Sequence, residues 1–136
     1  MTEHFHYIVW LDHEIAKIIS FNPEHMATVV VRSARGRQHL HHKANSSDNG
    51  HLSLDSDFLD RIAHELQSAG AILITGPASA KTELVQRIHQ KHVEIAKRLS
   101  GVETLDHPTD GELVAFGRKF FRGADRMRAQ VDRLQR

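Results

Sequence analysis

Cysteine is absent from this chain, so a disulfide framework, a thiolate zinc site and a thiol nucleophile are all excluded. No apolar run approaches the ~20 residues that a membrane-spanning helix needs, and Met1-Thr2-Glu3-His4 lacks the basic-then-apolar opening of a secretory signal. The expectation is a cytoplasmic protein with no membrane partner. Proline is scarce at three residues, and Trp and Tyr occur once each, so every Pro marks a definite chain feature. Net charge is also small, +1 with neutral histidines, which removes bulk electrostatics as an argument for nucleic acid. What remains is ordinary for a globular domain: 40% hydrophobic and 26% charged residues, within a length of 136 that suits one core.

Histidine and arginine are abundant, and they are unevenly placed. Four cations (Arg32, Arg35, Arg37, Lys43) and three histidines (His39, His41, His42) fall between Arg32 and Lys43 without a carboxylate among them. Seven more cations lie between Arg118 and Arg136, against Asp125 and Asp132 only. Clusters of this kind can hold phosphates, although charged termini are also commonly solvated tails.

Aromatic and β-branched residues at Phe5–Leu11, Glu14–Phe21 and Ala27–Val31 predict three strands. The links Asp12-His13 and Asn22-Pro23-Glu24-His25 are short turns, which favour an antiparallel meander. Residues 33–53 are polar, with only Leu40 and Leu52 as large aliphatics, and are expected to form a mobile loop. A helix capped by Asp55 or Ser56 follows, its apolar stripe formed by Phe58, Leu59, Ile62, Ala63 and Leu66. Ala71–Thr75 predicts a fourth strand, turned by Gly76-Pro77 into a second helix from Ser79 to Leu99. Val102–Leu105 predicts a fifth strand. Thr109-Asp110-Gly111-Glu112 then has the spacing of a capping box that opens a last helix, which buries Leu113, Val114, Phe116, Phe120 and Phe121.

The order β-β-β-α-β-α-β-α describes an α/β fold: a ribonuclease-H-like five-stranded mixed sheet with helices packed on it. Three antiparallel strands come first, and two parallel ones follow through right-handed crossovers. Strands at Tyr7–Leu11, Ala71–Thr75 and Val102–Leu105 should be parallel neighbours. The expected organisation is a single domain over 1–122, with a basic C-terminal extension over 123–136.

The stretch Gly76-Pro77-Ala78-Ser79-Ala80-Lys81-Thr82-Glu83-Leu84, following a strand, resembles the turn after the fourth strand in the middle domain of class-1 release factors and Pelota. The phrase Glu103-Thr104-Leu105-Asp106-His107-Pro108-Thr109-Asp110-Gly111-Glu112-Leu113-Val114 is similar to small stand-alone bacterial proteins of the same translational-machinery group. That resemblance implies the ribonuclease-H-like fold and a ribosome- or RNA-associated translation accessory factor of rescue or stress type. In release factors the segment equivalent to the basic loop carries Gly-Gly-Gln. Here the nearest match is Arg35-Gly36-Arg37-Gln38, with an arginine where the second glycine stands. Pelota-type factors lack the tripeptide and act without hydrolysis, and this chain is similar to them in that respect. The residues expected to contact the ribosome or structured RNA, from the cations and histidines of the basic loop and the helix N-terminus at Lys81, are Arg32, Arg35, Arg37, Gln38, His39, His41, His42, Lys43 and Lys81.

Other chemistries compete for the same residues. Gly76-x-x-x-x-Lys81-Thr82 lacks the second glycine of a phosphate-binding P-loop and is one residue shorter. A metal-dependent nuclease or hydrolase would draw on Asp12, at the end of the first strand, with Glu65 on the first helix. The fourth strand, however, ends in Thr75-Gly76 where that chemistry needs a carboxylate. No cofactor is expected, except that zinc could take His39, His41 and His51, with Asp48 as an alternative ligand. The histidine-rich loop therefore has three open readings: RNA contact, a solvated loop, or a metal site. A protein-interaction or assembly module, including a homo-oligomer, is the remaining alternative.

Overall fold

The computed structural model describes residues 5–34 and 55–134, with side chains through Gly123. β1 (His6–Leu11), β2 (Ile15–Phe21) and β3 (Met26–Arg32) form the meander. They are followed by α1 (Ser56–Glu65), β4 (Ala71–Gly76), α2 (Ala80–Lys91), the single turn α3 (Val93–Ala96), β5 (Leu99–Thr104) and α4 (Asp110–Leu134). The sheet order is β3-β2-β1-β4-β5. β1 is antiparallel to β2 and parallel to β4, and β4 is parallel to β5, so the expected ribonuclease-H-like mixed sheet is present.

Both tight turns are built by one side chain each. Asp12 Oδ1 accepts the amides of Glu14 (2.8 Å) and Ile15 (2.9 Å), and Asn22 Oδ1 accepts those of Glu24 (2.9 Å) and His25 (2.7 Å). A short oxygen acceptor two residues before the amide it binds is the physical reason Asp and Asn favour such turns.

Alternation along the strands divides the core in two. Val9, Leu11, Ile18, Ile72 and Ile74 face α1 and α2, where they meet Phe58, Ile62, Leu66, Leu84 and Ile88. Ile8, Trp10, Ile19, Phe21 and Leu73 face the other way, against Leu113, Val114 and Phe121 of α4. The α1 stripe is buried as its spacing requires, and Asp55 is the cap, accepting from the Asp57 amide. The capping box of α4 is reciprocal: Thr109 N–H donates to Glu112 Oε1 (2.8 Å), and Glu112 N–H donates to Thr109 Oγ1 (3.1 Å). The helix then continues without a break to Leu134, so the segment from Ala124 prolongs it. Phe116 and Phe120 are only half-buried, while Phe121 is enclosed, its ring stacked on His6 and edge-on to Phe120.

The second helix is shorter than its apolar periodicity implies. It ends at Lys91, because His92 leaves helical geometry (φ −135°, ψ 64°) and places its ring 2.9 Å from Asp60. Leu99, expected to end that helix, opens β5 three residues before the expected Val102. A register shift between Ile72 and Leu73 admits Ser100 as an extra residue. Leu99 thus stays with the α1/α2 core while Gly101 lies against Phe120 on the α4 side.

Candidate nucleic-acid interface

β3 and α1 together carry the two ends of the basic segment. The last bond of the β2–β3 ladder joins Ser33 N–H to the Glu14 carbonyl (2.9 Å). The chain is next described at Asp55, the cap of α1. Arg61, one and a half turns into α1, ties these points together. Its Nη2 donates to the Arg32 carbonyl at 2.7 Å while its Nε sits 3.3 Å from the Asp57 carboxylate. Beside this junction lies a groove of about 660 Å3, lined by Val29, Val30, Val31, Arg32, Arg61, His64 and Glu65. Glu65 of this lining also acts on Tyr7 of β1, whose phenol is pushed above its ordinary value mainly by burial and secondarily by that carboxylate.

Of the residues expected to contact RNA, Arg32 stands exposed at the rim of this groove. Arg35, Arg37, Gln38, His39, His41, His42 and Lys43 lie outside the described residues, as do His51 and Asp48 of the zinc reading. Lys81 is placed elsewhere and is occupied: its Nζ donates to the Ala78 carbonyl at 2.6 Å, closing its own turn. Gly76 is the last residue of β4, packed directly on the Leu11 backbone, so its small size serves the sheet rather than a phosphate cradle.

Asp12 and Glu65 are not brought together. The Asp12 carboxylate holds its turn at the carboxyl end of β1. Glu65 acts on Tyr7 near the strand's other end, roughly 16 Å away at ~3.3 Å per residue. Among the described residues no three His, Asp or Glu side chains are grouped so as to hold a metal.

A separate ionic cluster locks α1 to α2. Asp60 accepts from Arg87 Nε and Nη2 (both 2.8 Å) and faces His92 Nε2 at 2.9 Å. Those bonds, Arg87 first and His92 second, hold the Asp60 carboxyl far below the usual carboxylate range. Arg61 and His64, on the polar side of α1, are not among the residues expected from the sequence to line an interface. Their spacing with Glu65, opposite the Phe58–Leu66 stripe, is the signal that could have found them.

No family model matches the chain, and no curated protein sequence matches it. Solved structures do. Pelota of Archaeoglobus fulgidus superposes on 98% of this chain with a TM-score of 0.65 at 12% identity. Pelota of Thermoplasma acidophilum covers 83% with a TM-score of 0.61 at 18% identity. The archaeal translation termination factor aRF1 covers 95% with a TM-score of 0.56 at 10% identity. The fold is that of a Pelota-type domain. The chain spans 31% to 41% of the length of those proteins, so the likeness is to a part of each. No helix among the described residues is long and apolar enough to cross a membrane.

Proposed function

We propose that this chain is a ribosome- or RNA-associated translation accessory factor of rescue or stress type, working in the cytoplasm without hydrolysis. The observation that carries this reading is the superposition of nearly the whole chain on archaeal Pelota. The turn Gly76–Leu84 and the phrase Glu103–Val114 support it independently, the latter favouring a small bacterial member of the group. The segment between β3 and α1 is the contact element. Arg35, Arg37 and Lys43 would neutralise phosphates while His39, His41 and His42 stack on bases or donate to phosphate. Arg32 and Arg61 extend the same basic rim onto the folded body. Arg37, where release factors keep a second glycine, opposes the backbone geometry of the water-positioning loop, which is the ground for reading the factor as non-hydrolytic.

Sedimentation of untagged protein with ribosomes through a sucrose gradient tests the reading. The wild type should travel with ribosomal particles at low salt. A variant with Arg35, Arg37 and Lys43 replaced by Ala should bind more weakly, its log K against log salt slope smaller by roughly 0.7–0.9 for each phosphate no longer neutralised. Wild-type protein that stays at the top of the gradient at low salt would refute the proposal.

A further inference from the structure

β3 forms an edge of the sheet, and among the described residues its only strand neighbour is β2. Its sequence, Met-Ala-Thr-Val-Val-Val-Arg, has none of the usual guards of an open edge: no proline and no lysine, and no charge before Arg32. Met26, Val29 and Val30 are 57%, 39% and 47% exposed. The bond from Ser33 N–H to the Glu14 carbonyl shows that odd-numbered residues of β3 bond to β2. By alternation, the N–H and C=O of Met26, Thr28 and Val30 point outwards. The Arg32 carbonyl points outwards too, and it is the one that Arg61 caps.

We propose that β3 pairs with β3 of a second copy of this chain, about a two-fold axis normal to the sheet at Thr28, joining two five-stranded sheets into one. The strand is self-complementary in that register. Thr28 faces its own copy, Met26 faces Val30, Ala27 faces Val29, and Glu24, in the turn just before β3, faces Arg32. Met26–Val30 and Ala27–Val29 match apolar with apolar, Thr28 meets its own hydroxyl and Glu24–Arg32 matches opposite charges, His25 against Val31 being the one mismatched pair. The outward amides and carbonyls of 26, 28 and 30 meet one another. Paired residues share a face of the sheet, so the exposed valines are covered on both sides. The groove beside Val29 and Val31 then lies at the junction. The same rotation sets α1 antiparallel to its copy across it, Arg61 of one running towards Glu65 of the other. The opposite edge does not have this property: the exposed half of β5 is Val102-Glu103-Thr104, and an antiparallel copy centred there sets Glu103 against itself.

The inference is independent of the ribosomal reading, because its test contains no RNA. Sedimentation equilibrium of the purified chain over a concentration series should show a monomer–dimer equilibrium. Thr28→Pro removes an outward N–H that the β2 ladder does not use, so it should abolish the dimer while leaving far-UV circular dichroism unchanged. Glu24→Arg and Arg32→Glu should each weaken dimerisation by roughly 2- to 30-fold, since symmetry removes two ion pairs at once, and together they should restore it. The charge exchange decides the matter even if Thr28→Pro fails to fold. A monomer at every concentration would overturn the proposal and leave the edge to some other extended chain. A dimer indifferent to the charge exchange, or one that persists in folded Thr28→Pro, would overturn it equally.

Discussion

Replacing Gly76 with alanine tests whether the Gly-Pro turn exists for the sheet or for a ligand. A Cβ at Gly76 would fall inside contact distance of the Leu11 carbonyl oxygen, with the Leu11 carbon 3.4 Å and its nitrogen 3.7 Å away. All three are backbone atoms of β1, paired in register with β4 in the middle of the sheet, so no side chain can swing aside to relieve the overlap. The strands must part locally, and overpacking of this kind costs about 3 kcal/mol. Unfolding entropy near 2.1 cal/mol/K per residue gives about 0.29 kcal/mol/K for a chain of this length, so Tm should fall by about 10 °C. Gly111→Ala is the control, because nothing lies within 4 Å of a Cβ there and the residue sits in the first turn of α4. Better helix propensity should raise its Tm by about 2–3 °C. Scanning calorimetry of both variants measures the contrast. If Gly76→Ala melts within about 2 °C of wild type, the close strand approach is not what requires glycine. A phosphate-cradling role would instead lower nucleotide affinity and leave Tm in place.

Asp60→Asn should destabilise the fold by about 1 kcal/mol at neutral pH, a value kept small because the carboxylate remains 38% exposed. Its folded pKa is depressed, so this stabilisation is full above the unfolded value near 3.9 and is lost as pH falls towards the folded one. The gap between wild type and variant in urea titrations should therefore close below about pH 4, and a gap that widens there would contradict the assigned cause. Thr109→Ala should cost about 1 kcal/mol by opening the reciprocal cap of α4, whereas Thr109→Ser should retain most of it. Equal melting of the Ala and Ser variants would show that the hydroxyl does not cap.

Most of the architecture was legible because each element announced itself locally. Asp12 and Asn22 sit where a short acceptor closes a turn, Asp55 precedes a clean 3.6-period stripe, and Thr109 and Glu112 have capping-box spacing. The parallel neighbours followed from two crossovers. The end of α2 was not legible. Ile95 and Leu99 continue the helical period past His92, and the break is imposed by a partner 32 positions earlier in the chain, Asp60. The shift that turns Leu99 inwards is likewise decided by pairing with β4, not by its neighbours. The candidate site divides the same way. Composition marked the cations of residues 32–43, but the apposition of Arg61 and Arg32 needed the packing of α1 on β3. Lys81 looked available only because its carbonyl partner in the Gly-Pro turn was invisible in one dimension.

The two ends of the sheet differ in how their polar groups are employed, and this bears on what kind of protein the fold supports. At the carboxyl ends of β1, β4 and β5, where open α/β sheets tend to place chemistry, the prominent groups are engaged in local structure. Asp12 closes a turn, Lys81 closes another, Lys17 and Asp110 pair at 2.9 Å, and Asp106 pairs with His107 at the same distance. Trp10 fastens that corner by donating its indole N–H to the carbonyls of Leu105 and Asp106. At the β3 edge the arrangement is reversed. Outward backbone groups of residues 26, 28 and 30, exposed valines and the exposed Arg32 border a groove, Arg61 alone being tied to its neighbours, and the histidine- and arginine-rich segment departs from its rim. Apolar edge and basic rim adjoin and share Arg32, but ladder bonds and phosphate contacts respond differently to salt. Association through β3 should survive an ionic strength that releases RNA, because ladder bonds and buried valines are little screened while phosphate contacts are.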